Sequence, residues 1–399
     1  MSATEDPKDD IVILEGARTP LGSFQGSLAS LDAVDLGAAV VKATLERSHV
    51  AADQVEQIFM GCVLPAGLGQ APARQAALRA GLGEHVQAST INKVCGSGMQ
   101  AAILAHDALR VGTADVIVAG GMESMTNAPY LLAKHRSGAR IGHDVVKDSL
   151  YLDGLEDAYD AGRLMGSFGE DIARRYQFGR AEQDAYAIAS LERAQAAARS
   201  GAFAREIVPV EVATRSGAET VVADEQPQRA DPAKIPRLKP AFAPDGTITA
   251  ANAASISDGA AAMVLTRRSL AEARGWTPDA RIVAHAAHAH APALFATAPI
   301  FAIRKVLDKA GWRVDDVDLF EINEAFAVVP MAAMKELGIP HEVVNVNGGA
   351  CALGHPLGAS GARVIVTLIA ALKARSLKRG VASLCIGGGE ATAMAVELT

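Results

Sequence analysis

Ala114-Asp115-Val116-Ile117-Val118-Ala119-Gly120-Gly121-Met122-Glu123-Ser124 is a near-continuous apolar run that ends in glycines. That is the pattern of a strand in a sheet covered on both faces. A stretch of the same form lies near the other end of the chain: Val381-Ala382-Ser383-Leu384-Cys385-Ile386-Gly387-Gly388-Gly389-Glu390. Working outward from these two, further segments match in pairs. Ile11 to Leu14 has its echo in Arg281 to Ala284, and Val55 to Met60 in Val317 to Ile322. The helical spacing from Asp32 to His49, with Asp32 or Asp35 as a cap, is matched by Ile300 to Ala310. Val343 to Ala350 leads through glycines into Gly358-Ala359-Ser360-Gly361, as the chain before Cys95 leads into Gly96-Ser97-Gly98. The pattern predicts a duplicated αβ unit with matching loops on matching edges. The fold class is α/β, two similar sheets with helices between and around them in an α-β-α-β-α order.

Between about residues 128 and 247 the composition shifts toward Arg, Asp, Pro and Gln. The segment has a helical stretch from Arg180 to Ser200 and prolines at 227, 232, 236 and 240. Buried apolar pattern resumes at Ala250. The expected organisation is a first core half of residues 9–127 and 248–275, an inserted loop domain of residues 128–247, and a second core half of residues 276–399.

A chain of 399 residues, half of them hydrophobic and 21% charged, suits a globular protein with a large core and excludes wholesale disorder. A net charge of −7 without a basic stripe argues against a nucleic-acid surface. The short acidic segment Met1 to Asp10 has no signal-peptide or presequence features, no uninterrupted apolar run reaches bilayer length, and Glu397-Leu398-Thr399 is not a peroxisomal address. Four cysteines do not make a disulfide framework, so a cytoplasmic location is expected.

Thr90-Ile91-Asn92-Lys93-Val94-Cys95-Gly96-Ser97-Gly98 reads as an extended segment that turns at Cys95 into an Ala-rich helix. The positive end of a helix lowers a thiol pKa and favours thiolate. On this stretch alone, a reactive cysteine and a small buried one read equally well. Three clusters elsewhere tip the balance: Asn323-Glu324-Ala325-Phe326 after a strand, Gly354-His355-Pro356 in a glycine-rich turn, and Cys385-Ile386-Gly387 at a strand end. Each alone has an ordinary structural explanation. Together they offer a nucleophile, a base, an amide and a second thiol for acid/base work.

These motifs, with Gly120-Gly121-Met122-Glu123-Ser124-Met125 and Gly348-Gly349, resemble the thiolase family in order and over nearly the whole chain. Within it the chain is most similar to acetoacetyl-CoA thiolases (acetyl-CoA C-acetyltransferases). The resemblance implies reversible condensation of two acetyl-CoA, or thiolysis of acetoacetyl-CoA, through an S-acyl enzyme. In that scheme Cys95 is the nucleophile and His355 the base that activates it and serves an oxyanion hole. Cys385 is the general acid/base, Asn323 orients an oxyanion-hole water, and the Gly387 backbone N–H lines a second hole. It further implies that the insertion grips coenzyme A, with Leu155, Met165 and Arg229 near that site, and that Ala254 stands where relatives often carry Ser, beside Ser255. Phe295 would stand beside the acyl pocket. No metal or other cofactor is implied, coenzyme A arriving as part of the substrate. No nucleic acid or membrane partner is expected, and the assembly would be a homotetramer or homodimer.

His285, His288 and His290 are closely spaced, but no carboxylate or Cys pattern completes a metal site, so they are expected in an exposed Ala-rich loop. Cys62 and Cys351 read as packing residues. Gly387-Gly388-Gly389 lacks dinucleotide-fingerprint spacing, and Ser97 lacks the spacing of a hydrolase elbow. Among rivals, condensing enzymes with one reactive Cys are disfavoured by Cys385, and a non-catalytic lipid-binding relative by the retained polar set. A broad-range degradative 3-oxoacyl-CoA thiolase differs only in pocket size.

Overall fold

The computed structural model describes residues 9–214 and 217–399; residues 1–8 of the acidic N-terminal segment lie outside the described residues. The first half runs β1 (Ile11–Arg18), β2 (Gly22–Ser23), α1 (Ala33–Ser48), β3 (Gln57–Gly61), α2 (Pro72–Arg79), β4 (Gln87–Ile91), α3 (Ser97–Arg110) and β5 (Val116–Ser124). The inserted stretch holds two separate strand pairs, β6 (Tyr130–Leu131) with β7 (Lys147–Asp148) and β8 (Val210–Thr214) with β9 (Gly217–Val221). Its helices are α4 (Met165–Tyr176), α5 (Arg180–Ser200) and α6 (Glu225–Arg229). β10 (Ser257–Arg267) returns to the core, and α7 (Arg268–Arg274) leads out of it. The second half runs β11 (Ala280–Ala289), α8 (Ala298–Ala310), β12 (Leu319–Ile322), α9 (Val328–Leu337), α10 (Ala350–Leu353), α11 (Leu357–Arg375), β13 (Arg379–Ile386) and β14 (Glu390–Leu398).

Strand order makes the duplication explicit. The first half is β4-β3-β5-β10-β1, and the second is β12-β13-β14-β11, the same arrangement with one strand fewer. The two are not separate sheets, as the sequence suggested. β1 and β11 pair antiparallel through Val12 with Arg281 and Ile13 with Ala280, giving one ten-stranded sheet that includes β2 on β10. The missing strand would have been Val343 to Val346. Only Val344 bridges Phe320 there, and Asn345 has a φ of +48°. Its side-chain amide replaces the ladder: Oδ1 accepts from Ile322 N at 2.8 Å and Nδ2 donates to Ile322 O at 2.8 Å.

Alternation along β5 shows why its run is apolar throughout. Val116 and Val118 face a core under α1 and α2, whereas Ile117 and Ala119 face a central core. α3 and α11 fill that central core, between β1, β5 and β10 on one side and β13 and β14 on the other. α8 and α9 cover the outer face of the second half. α11 is long and apolar enough to cross a membrane by length and composition, yet it is buried as the central helix. α1 begins with the capping box the sequence offered: Asp32 Oδ1 accepts from Asp35 N at 2.7 Å.

Among the described residues, the inserted stretch contributes no strand to the large sheet. It is fastened by buried polar contacts. Arg18 of β1, fully buried, donates to Glu206 at 2.6 Å and to Asp224 at 2.7 and 2.9 Å. Glu324 accepts from Tyr186 at 2.9 Å and Ser190 at 2.8 Å, both on α5. A buried carboxylate left unpaired is costly, so these pairs define where the insertion must sit.

Candidate active site

Between β4 and α3 the chain makes a strained turn. Val94 has a φ of +46°, a conformation that β-branched residues rarely adopt and that costs about 1–3 kcal/mol. Ser97 holds it, accepting from Lys93 N at 2.8 Å and donating to Val94 O at 2.7 Å. Cys95, half-buried, is thereby presented just ahead of the first turn of α3. The helix end that the sequence shows would lower this thiol, but burial acts against it. Burial pushes the Cys95 thiol up to about 11; the backbone N–H groups of Gly387 and of Cys95 itself pull it down, and Glu123 adds to the rise. Desolvation outweighs the helix end, and the resting group is a thiol.

His355 stands between α10 and α11. Burial, with the Arg363 guanidinium nearby, lowers its imidazole to about 3, so the ring is neutral near pH 7. Its tautomer follows from its partners. Ser360 Oγ donates to Pro356 O at 2.9 Å and so must accept from His355 Nδ1–H, 2.5 Å away, which leaves Nε2 as a free base. Asn323 is oriented in the same way. Arg363 donates to its Oδ1 at 3.0 Å, which turns Nδ2 to within 3.4 Å of both ring nitrogens of His355. Arg363 is itself buried and paired to Glu321 at 3.2 Å.

Cys385, at the end of β13, is buried, and its thiol is raised well above the ordinary range by desolvation and by the nearby Cys95. Gly387 aims its N–H at the Cys95 sulfur. Glu123 lies beneath these groups, accepting from Val63 N at 3.0 Å, Leu64 N at 3.1 Å and Gly358 N at 2.7 Å. Burial raises its carboxyl to about 7. It braces the loop after β3 against the first turn of α11.

Cys95, His355, Cys385 and Gly387 open onto one cavity of about 550 Å³, counting its mouth. Leu155, Met165, Ala254, Ser255 and Phe295, all singled out from sequence, line it. Asn323 stands just behind His355. Arg229 does not line the cavity: its side chain is largely exposed and ion-paired with Glu225 on α6. Phe326, Ile256, Met125 and Val94 complete the wall without having been singled out as lining residues. Ser360, Arg363 and Glu123 were also missed as positioning residues. One signal was visible for Arg363, a cation in the buried, apolar part of α11, far from the basic last turn of Lys373 and Arg375. Cys62 and Cys351 are buried, each thiol against a carboxylate or carbonyl oxygen, as packing residues would be. His285 and His288 lie on β11 and are half-buried, not in an exposed loop; His288 and His290 pack on Phe301.

Comparisons with known proteins agree with this geometry. Family models described as "Thiolase, N-terminal domain" and "Thiolase, C-terminal domain" match residues 11–269 and 276–398. The chain is 50% identical to an acetyl-CoA acetyltransferase of Escherichia coli (strain K12), covering 97% of this chain and 98% of that one. It is 47% identical to an acetyl-CoA acetyltransferase of Allochromatium vinosum, covering 98% and 99%. Among solved structures, the Acat5 thiolase from Ascaris suum in complex with coenzyme A superposes with a TM-score of 0.92 at 42% identity, covering 98% of this chain and all of that one.

Proposed function

The chain belongs to the thiolase family, and from that premise we propose that it is an acetyl-CoA C-acetyltransferase. It joins two acetyl-CoA into acetoacetyl-CoA and coenzyme A, or cleaves acetoacetyl-CoA in the reverse direction. One observation carries the reading: a thiol, a neutral imidazole with a free Nε2, and a second, deeply buried thiol share one apolar cavity.

The protonation states give a balanced sequence. Cys95 Sγ attacks the acetyl-CoA carbonyl as Nε2 of His355 takes the thiol proton. Since Cys95 is not a thiolate at rest, this transfer is required. Collapse expels coenzyme A thiolate and leaves acetyl-Cys95. Cys385, protonated at rest because its thiol is raised, gives its proton to that thiolate. It is then the base that removes the α-proton of a second acetyl-CoA. The carbanion attacks acetyl-Cys95, the C–S bond breaks, and His355 returns its proton to Cys95. The Cys95 and Gly387 N–H groups serve one developing oxyanion; His355 and a water held by Asn323 serve the other.

Phe295, Met165, Leu155 and Phe326 close the wall with bulk, which favours short acyl groups. Coenzyme A is the carrier on both substrates, and the chemistry asks for no metal or redox group. We place the enzyme in the cytoplasm, a reading its four free cysteines support. We also propose a homo-oligomer, dimer or tetramer. The strand β4 at the sheet edge and the exposed Ile141, Val145 and Val146 support it.

The test is thiolysis of acetoacetyl-CoA beside a six- to ten-carbon 3-oxoacyl-CoA series, read as kcat/KM at fixed coenzyme A. A steep fall beyond four carbons is expected. A flat profile would move the enzyme to the broad degradative class, and no turnover would reject the reading.

A further inference from the structure

Near the far end of α3 from Cys95, His106 and Asp107, neighbours on that helix, meet His285 of β11. His106 Nδ1 and His285 Nε2 are 3.2 Å apart, and each lies 3.0 Å from the same atom, Asp107 Oδ1. The two imidazoles stand edge to face with centroids 4.8 Å apart. His106 and His285 side chains are 16% and 19% exposed and Asp107 55%, so the triangle opens toward solvent on the carboxylate side.

Protons alone do not explain this arrangement. If each ring donates an N–H to Asp107, two donors face one another at 3.2 Å; if either ring turns its bare nitrogen inward, one edge to the carboxylate sets lone pair against lone pair. A cation satisfies all three edges at once. The ligands of a tetrahedral ion bound at about 2.1 Å lie about 3.4 Å from one another. The present edges need to widen by only a few tenths of an ångström, and the ion would stand about 0.7 Å above the triangle with an open fourth position.

From this convergence we infer that His106, Asp107 and His285 form a binding site for a divalent transition-metal ion, of which Zn²⁺ fits the two-imidazole, one-carboxylate set. The site is separate from the catalytic cavity. It ties α3, which carries the Cys95 turn at its other end, to β11 of the second half. Arg110 and the Lys309 ammonium, which donates to His285 O at 2.9 Å, stand nearby and hold the affinity below that of a full four-ligand site.

The test titrates the full chain with Zn²⁺, and with Co²⁺ as a spectroscopic probe. One equivalent should bind, with visible d–d bands and no thiolate charge-transfer band. Binding should persist in the double variant Cys95→Ala, Cys385→Ala. His285→Ala should weaken it by more than about 100-fold, since even a second-shell partner is worth 10–100-fold. Asp107→Asn, at an exposed position, should weaken it as well and keeps the test valid if His285→Ala does not fold. The inference is overturned by absence of binding, by unchanged affinity in Asp107→Asn or His285→Ala, or by loss of the metal with the cysteines.

Discussion

α3 and α11 are counterparts in the two halves, and they begin at the same cavity with different chemistry. Both carry a Ser-Gly pair in the first turn, Ser97-Gly98 and Ser360-Gly361. A Cβ on Gly98 would lie 2.7 Å from Ala362 N, and one on Gly361 would lie 2.2 Å from Met99 N. The helices therefore cross backbone to backbone, which brings both N-termini together. Each serine binds the turn before it. Ser97 fixes the loop that presents Cys95, and Ser360 sets the tautomer of His355. Near the end of β5 the first half places Glu123, which is taken up in bracing; near the end of β13 the second half places Cys385, which is left free to react. Duplication supplies the scaffold, and divergence of loop residues divides the labour between nucleophile and proton handling.

The division breaks first if the two thiols prove interchangeable. Cys95→Ala should abolish acyl-enzyme formation from acetyl-CoA. Cys385→Ala should retain it while losing carbon–carbon bond making by about 10²–10⁴-fold, the range for a general acid/base. Mass spectrometry of the trapped enzyme reads the first step and thiolysis the second. Equal loss of acylation in both variants would end the assignment.

The crossing itself is the next target. Gly361→Ala forces a methyl against Met99 N and should cost about 1–3 kcal/mol, typical of overpacking. Gly387→Ala is the contrast. Its Cβ would meet nothing nearer than Val94 Cγ1 at 3.6 Å, so its stability should stay within about 0.5 kcal/mol of the parent. Urea unfolding midpoints separate the two. A costly Gly387→Ala with a neutral Gly361→Ala would mean that glycine is needed at the sulfur and not at the crossing.

Much of this was legible because it is local. Strand alternation, the Asp32 cap and the echo between Val116–Glu123 and Val381–Glu390 depend on residues close in sequence. The order of motifs pointed to Cys95, Asn323, His355 and Cys385 together. What was hidden depends on burial by distant segments. The Cys95 thiol looked activated from its helix end, and only packing against β13 and its following loop shows desolvation winning. Asn345 reads as a strand residue until its amide is seen replacing the strand's ladder bonds. The histidines of β11 looked unaccompanied because the partners of His285 lie about 180 residues away. Arg229 was placed near the coenzyme A site by resemblance alone, and the proline-rich chain around it has no periodicity to fix its position.

The finest contrast between the halves is in how each buried titrating group responds to pH. His355, held near 3 against an ordinary 6.5, refuses a proton that the unfolded chain accepts. Its contribution to stability is present above pH 6.5 and lost as pH falls toward 3. Glu123, raised from 4.5 to about 7, keeps a proton that the unfolded chain releases. Its contribution is present below pH 4.5 and lost as pH rises toward 7, the opposite sign. The two slopes oppose one another, on top of those of other buried carboxyls such as Glu321, raised to about 8. Relative to the parent, unfolding midpoints between pH 4 and 8 should tilt toward a fall in stability with rising pH in His355→Asn and toward a rise in Glu123→Gln, each by on the order of 1 kcal/mol per unit across its window. Tilts of the same sign in both variants, measured against the parent, would show that one group does not titrate as its surroundings require. In that case the three N–H groups on Glu123 would be holding it ionised, and the brace under α11 would be a charge and not a neutral acid.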